Sequence, residues 1–219
     1  MAKKNSVSVY ALLDRSGSMG GAKWESAIGS INTYVATLKN AGTKATITVA
    51  AFDSQYTTTH NDALGGNAQF AYRARTTELS FDILRSEVDI TEFNDISFAE
   101  LSPRGGTPLY DATARLMNLA EANNNPKTVL LIMTDGAENE SKIYNKTSIK
   151  DRVASCTSRG FEVIFLGQDF DVAETATTLG LDSTKFRSFG TADMDKGMMM
   201  YASATTAYAS GSAIDLSKN

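Results

Sequence analysis

The stretch VSVYALL at residues 7–13, running straight into DRSGSMGG at residues 14–21, decides the fold. Seven nearly continuous β-branched and aliphatic residues suit a central strand buried on both faces, because a strand with one wet face would alternate with polar residues. The Gly- and Ser-rich segment after it is a turn. From Ala22 the period changes. Trp24, Ile28, Ile31, Val35 and Leu38 follow one another at spacings of four, three, four and three, one apolar stripe on a helix that ends near Asn40 and Gly42. TITVAAF at residues 46–52 is then a second strand, and strand, helix, strand in this register is a βαβ unit.

Further along, the same alternation returns. Residues 54–75 mix Thr, Asn, Gly and aromatics without a helical period and read as a hairpin or excursion at the sheet edge. Residues 78–96 read as further β structure or one short helical turn, so 54–100 is expected to be irregular and β-rich. After PRGGTP at 103–108, Leu109, Ala112, Leu116, Leu119 and Ala120 form a helical face, stopped by residues 123–126. TVLLIM at 128–133 is a strand as apolar as the first. Then come a helix over 146–159, a strand over 162–166, a helix over 171–179, a short strand over 185–189 and a terminal helix over 193–209. Right-handed crossovers make this a doubly wound, mostly parallel α/β sheet with helices on both faces. In the order 3-2-1-4-5-6, strands 7–13 and 128–133 lie side by side at the switch point, where ligands bind beyond the carboxyl ends.

The chain has 219 residues, 42% hydrophobic and 21% charged, far from the composition of disorder. Residues 1–219 are expected to form a single domain, at roughly 100 to 200 residues per domain. Lys and Arg number 21 against 25 Asp and Glu, a net charge of −4, and the basic residues are scattered. No basic stripe is available to neutralise phosphates, which argues against a nucleic-acid partner. One cysteine, Cys156, allows neither an internal disulfide nor a structural zinc site. The first apolar run ends at Asp14 without a small-residue cleavage site, so it reads as a strand and not a signal peptide. No segment approaches the ~20 apolar residues of a membrane helix, so no membrane partner is expected. A cytoplasmic location is the default, and a virion or unconventional export fits the same features.

Both switch-point strands run toward an Asp. Asp14, Ser16 and Ser18 stand on alternate residues of a tight loop, which lets their oxygens point one way. Asp135, after the strand at 128–133, faces that loop in this topology. Thr107 opens a helix with Pro108 at its first turn, and its hydroxyl can be held toward the same crevice. Five oxygen side chains without His or Cys specify a hard cation; Mg2+, or Mn2+ in its place, fits better than Ca2+, which takes more and looser oxygens. By itself DRSGS reads as turn and N-cap residues ahead of the helix. Thr107 and Asp135 at the right strand ends make the metal set.

DRSGS, the Thr of RGGTPLYDA and TDG, in that order, resemble the metal-ion-dependent adhesion site (MIDAS) of von Willebrand factor A (VWA) domains, and the alternation from residue 7 to about 210 is similar to that fold. The resemblance implies Asp14, Ser16, Ser18, Thr107 and Asp135 as the metal set. It also implies protein–protein interaction in place of catalysis, with a partner's Asp or Glu completing the ion. The family includes adhesion receptors, complement factors and intracellular members that work beside AAA+ ATPases, so an AAA+ ATPase or assembly partner is among those implied. Glu138 and Asn139, with Glu140, would line the partner-binding rim, their plainer reading being solvated loop residues.

Two rival functions remain in view. A Mg2+-dependent phosphatase or phosphoacceptor enzyme would also use an Asp such as Asp14 at a first strand end. It usually needs another Asp two residues on, where Ser16 stands, and a positioned Lys. An assembly or structural protein would leave the metal site unused. Other motifs carry less. His60 reads as a solvated loop residue, and Ser18 misses the nucleophile elbow. GSMGGAK at 17–23 lacks the Gly-Lys-Ser/Thr of a phosphate loop. Met198, Met199 and Met200 read as core filling or an adaptable surface, and Cys156 as a packed helix residue.

Overall fold

The computed structural model describes residues 6–59, 74–169 and 171–218. Six strands form one sheet: β1 (Val7–Asp14), β2 (Ala45–Thr59), β3 (Ala74–Asp89), β4 (Thr128–Thr134), β5 (Glu162–Gln168) and β6 (Phe186–Phe189). Their order is β3-β2-β1-β4-β5-β6, as the doubly wound topology requires. All neighbours are parallel except β2 and β3, which form an antiparallel hairpin. The helices are α1 (Ala22–Asn40), α2 (Leu109–Asn123), α3 (Lys146–Ser158), α4 (Ala173–Thr178) and α5 (Met194–Ala209).

Burial on both faces explains the near-continuous apolar run of β1. Val7, Val9, Ala11 and Leu13 pack with Trp24, Ile28 and Ile31 of α1 and Met198 and Tyr201 of α5. Tyr10 and Leu12 point the other way, into a core with Leu109 and Leu116 of α2, Ile149 and Val153 of α3, and Ala176 of α4. β4 divides in the same way, Val129, Leu131 and Met133 against Leu130 and Ile132. A strand whose alternate residues serve two cores has no polar period, so its sequence is apolar throughout. Two buried tyrosines are paired within these cores: Tyr34 Oη lies 2.8 Å from Thr205 Oγ1 between α1 and α5, and Tyr201 Oη donates to the Phe165 carbonyl at 2.7 Å.

The helix ends have local causes. Asn145 accepts the amides of Thr147 and Ser148 while Ser148 Oγ accepts the Asn145 amide, a reciprocal capping box that starts α3. Asn124 adopts a left-handed conformation, φ 55°, and ends α2. The segment 54–100 is more regular than its composition suggests. Its arms extend β2 and make β3 a 16-residue strand, and the helical turn is the 3-10 turn Ile90–Glu92. His60 and most of the excursion between the arms lie outside the described residues. Among the three consecutive methionines, Met198 is buried, Met200 packs at the edge of the α1/α5 core and Met199 is exposed. Cys156 is buried in α3, and burial pushes its thiol up to about 11, so it is an unreactive packing residue.

Leu12→Ala is expected to destabilise the protein by roughly 2–5 kcal/mol, because the side chain is fully buried in the α2/α3/α4 core. Urea denaturation followed by circular dichroism measures this.

Candidate functional site

β1 and β4 are hydrogen-bonded neighbours, with Leu13 opposite Met133, so the residues that follow them emerge side by side. Asp14 closes β1 and is fully buried. Its Oδ1 accepts the Ser16 amide at 2.7 Å, and its Oδ2 accepts the Thr134 hydroxyl at 2.5 Å. The loop then tightens into a 3-10 turn, Gly17–Met19, anchored by the fully buried Met19. Ser16 Oγ and Ser18 Oγ stand 3.0 Å apart, and Ser18 Oγ donates to Asp135 Oδ1 at 2.7 Å. Hydrogen bonds thus link Asp14 to the Ser16 amide, and the Ser16 hydroxyl through Ser18 to Asp135. Lys23, near the start of α1, donates from Nζ to Asp135 Oδ2 at 2.6 Å.

The second loop is tied to the first by its backbone. The Gly17 amide donates to the Gly105 carbonyl at 3.0 Å, and the Arg104 amide to the Arg15 carbonyl at 2.9 Å. Gly105 has φ 64°, and a Cβ there would stand 1.8 Å from the Ser54 carbonyl oxygen, so only glycine lets this loop lie so close to β2. Thr107, next along, is 3% exposed. Its amide donates to Asn139 Oδ1 at 2.8 Å and its carbonyl accepts the Asn139 amide at 3.1 Å, which clamps its peptide to the segment after β4. The three segments carrying the five sequence-predicted oxygen residues therefore converge at the carboxyl end of the sheet.

The two rim candidates have work inside the chain. Glu138 accepts from the amides of Tyr110, Glu140 and Ser141 and from the Ser141 hydroxyl. It thereby satisfies an amide in the first turn of α2 that has no partner within the helix, and shapes the loop. Asn139 spends its side-chain oxygen on Thr107. Glu140 accepts from Thr77 Oγ1 at 2.8 Å and ties the loop to the β2–β3 hairpin. Asp111 in α2 adds to this, accepting the amides of Lys142, Ile143 and Tyr144.

Beside the Ser-rich loop lies an ion cluster that residue-by-residue reading passes over. Arg15, a spacer in the DRSGS pattern, turns inward and is 2% exposed. Its Nε is 2.7 Å from Asp53 Oδ2 and its Nη2 is 2.6 Å from Asp82 Oδ2. Arg104 Nε also reaches Asp53 Oδ2, at 3.0 Å, and both guanidiniums donate to Ser80 Oγ. Asp53 Oδ1 has no hydrogen-bond partner, so the compensation of this buried carboxylate rests on the two arginines at Oδ2. The cluster joins both site loops to β2 and β3. A charged residue directly after the apolar run at 46–52, Asp53, is the available signal. Thr134 and Lys23 carry no sequence signal of their own, since the contacts of both depend on the two strand ends lying side by side.

Among the described residues, no group of three or more His, Cys, Asp or Glu side chains is placed to hold a metal. The converging set has two carboxylates, and its remaining donors are hydroxyls. Burial pushes the Asp14 carboxyl up to about 6, against the hydrogen bonds from Thr134 and Ser16 that favour its charged form and with a contribution from the nearby Asp135 charge. A buried acid next to a second carboxylate therefore holds its proton more tightly than a free one.

Comparison with known proteins agrees with this architecture. A sequence model of the von Willebrand factor type A domain matches residues 8–200. No curated protein matches the chain in sequence. Among solved structures, the pilus adhesin SpaC from Lactobacillus rhamnosus GG superposes with a TM-score of 0.63 at 13% identity, over 92% of this chain and 31% of the adhesin. Proximal thread matrix protein 1 from the mussel byssus gives a TM-score of 0.61 at 13% identity, over 91% of this chain and 48% of that protein. The manganese-loaded TRAP protein of Plasmodium vivax gives 0.51 at 16% identity, over 88% and 72%. The chain thus spans about half or less of the first two.

Two outcomes are expected. Arg15→Ala strands the Asp53 charge and costs about 3 kcal/mol in denaturant unfolding, whereas Arg104→Ala, from a half-exposed side chain, costs less. Because Asp14 binds its proton more tightly folded than unfolded, its contribution is full below about pH 4 and is lost as pH rises through about 6. Asp14→Asn should therefore gain stability relative to the parent, by roughly 1–3 kcal/mol between pH 4 and pH 7 in chelator, read by paired urea titrations.

Proposed function

This chain belongs to the von Willebrand factor type A domain family, whose members generally mediate protein–protein interactions or adhesion, and on that footing we propose that it is a Mg2+-dependent protein-binding module. Asp14, Ser16, Ser18, Thr107 and Asp135 would hold the ion, with Mn2+ as a substitute. The ion would supply an electrophilic centre that an Asp or Glu of a partner protein completes.

The observation that carries this reading is the hydrogen-bonded series from Asp14 to the Ser16 amide, from the Ser16 hydroxyl to Ser18, and from Ser18 to Asp135, built across two strand ends beside the Thr107 loop that the Gly17–Gly105 bond ties to it. Its donors are all hard oxygens, which fit Mg2+ or Mn2+ chemically. The buried carboxylates also call for positive charge. Burial disfavours the charged form of Asp14, and Asp135 already draws the ammonium of Lys23 to 2.6 Å, so both favour a cation beside them. A manganese-loaded structure among those of the same fold is in keeping with this choice of ion.

Within the chain, each residue has a distinct task. Thr134 and the Ser16 amide orient the Asp14 carboxylate, and the 3-10 turn presents the two serine hydroxyls. Asn139 holds the Thr107 peptide, and the Arg15 cluster keeps the first two loops in register. A phosphatase reading is less well supported. Both Asp14 oxygens already accept hydrogen bonds, the residue is fully buried, and Ser16 stands where such enzymes place a second Asp. Structures of like fold include a pilus adhesin and a thread matrix protein. An AAA+ ATPase or an assembly partner remains the kind of protein the family resemblance suggests. No described helix is long and apolar enough to cross a membrane.

Isothermal titration should show one Mg2+ or Mn2+ bound per chain at millimolar or tighter affinity. Asp14→Ala and Thr107→Ala should abolish or reduce it by at least about tenfold, with the circular dichroism spectrum kept. Partner capture from a lysate should be lost in EDTA and restored by Mg2+; equal capture under both conditions overturns the metal-dependent mechanism.

A further inference from the structure

Lys23 is placed against the proposed site by its backbone and left movable at its tip. Its carbonyl accepts Gln168 Nε2 at 3.1 Å, which fixes the first turn of α1 to the end of β5. Its ammonium sits 2.6 Å from Asp135 Oδ2, where the Asp135 side chain is completely buried and the lysine side chain is 31% exposed. The other Asp135 oxygen is taken by Ser18. Both oxygens of this carboxylate are thus engaged from within the chain, one of them by a full positive charge.

We propose that Lys23 is an affinity-setting residue of the metal site, a tethered ammonium that holds Asp135 in the metal-free chain and must give it up when a divalent ion enters. The inference rests on the metal-binding reading above. Two effects act in the same direction. The lysine neutralises one carboxylate of a buried pair, which lowers the electrostatic cost of the metal-free state. It also places a positive charge a few ångströms from any cation drawn to the same carboxylate, where like charges repel. Because the tip is a third exposed and its stem flexible, it can leave for solvent without moving α1. The site would then fill only above a threshold of free metal, set by competition within the chain.

The test is titration of Mg2+ and of Mn2+ into the full chain and its Lys23→Met, Lys23→Gln and Lys23→Arg variants, with thermal melts in EDTA and in saturating metal. Lys23→Met and Lys23→Gln should bind the ion about tenfold more tightly than the parent, and Lys23→Arg should stay near it. In EDTA the two neutral variants should melt below the parent, and in saturating metal the gap should close. Should a neutral variant fail to fold in EDTA, its refolding on addition of metal is the same outcome in stronger form. If the parent binds metal and neither neutral variant binds more tightly, or Lys23→Arg gains as much as they do, the competition is overturned while the metal site stands. If neither the parent nor any variant binds metal, the site reading itself is overturned and this inference with it.

Discussion

The hydrogen bond from Thr134 to Asp14 joins the last residues of the two central strands, and the arrangement of the site depends on it. It can form only because β1 and β4, 120 residues apart at this bond, are in-register neighbours in the sheet. Each strand is covered by helices on both faces, so a slip in register would drive its side chains into the wrong core. The packing that makes the strands apolar thus also fixes where their polar ends emerge. A buried Asp survives there because its oxygens are occupied by a backbone amide and a hydroxyl, while the second carboxylate nearby is matched by a serine and a lysine.

A second constraint is the charge cluster of Arg15, Asp53, Asp82 and Arg104. Pairs of this kind contribute little net stability beside an apolar replacement of the same shape, but breaking one member is costly. Their value here lies in geometry. Arg15 follows Asp14 and Arg104 precedes the Gly-Gly-Thr loop, so the two guanidiniums converging on Asp53 hold those loops at one distance from each other and from β2. Gly105 permits that approach because it has no side chain to meet the Ser54 carbonyl. The loop after β4 is held by another set of bonds, from Glu138, Asn139 and Asp111. Acidic and amide residues that look partner-facing in a sequence are here largely occupied in shaping the rim.

Much of the fold was legible in the residues. α1 occupies Ala22–Asn40 and α2 Leu109–Asn123, where the apolar spacing put them, because one stripe facing one core leaves a clear 3.6-residue period. Strand order followed from alternation and handedness. The hairpin of β2 and β3 was not legible in detail. β3 is the edge strand and β2 beyond Phe52 pairs only with it, so these residues carry a mixed polar pattern shared with surface loops. The final helix starts after a short 3-10 turn, a boundary that depends on backbone hydrogen bonding more than on residue type.

For the site, the sequence by itself determined the donor chemistry: carboxylates and hydroxyls on alternate residues after one apolar strand, a Thr at a helix entrance, and an Asp after another apolar strand. These are local choices of residue type, and a linear pattern can hold them. Only the tertiary structure decided that Arg15 turns inward to Asp53, that Thr134 completes Asp14, that Asn139 clamps Thr107 and that Lys23 reaches Asp135. Each of these contacts joins residues between 32 and 120 positions apart, or crosses from helix to loop over a comparable gap. Their strength comes from burial and from distances of 2.5–2.8 Å, quantities that exist only once the sheet has brought the strand ends together.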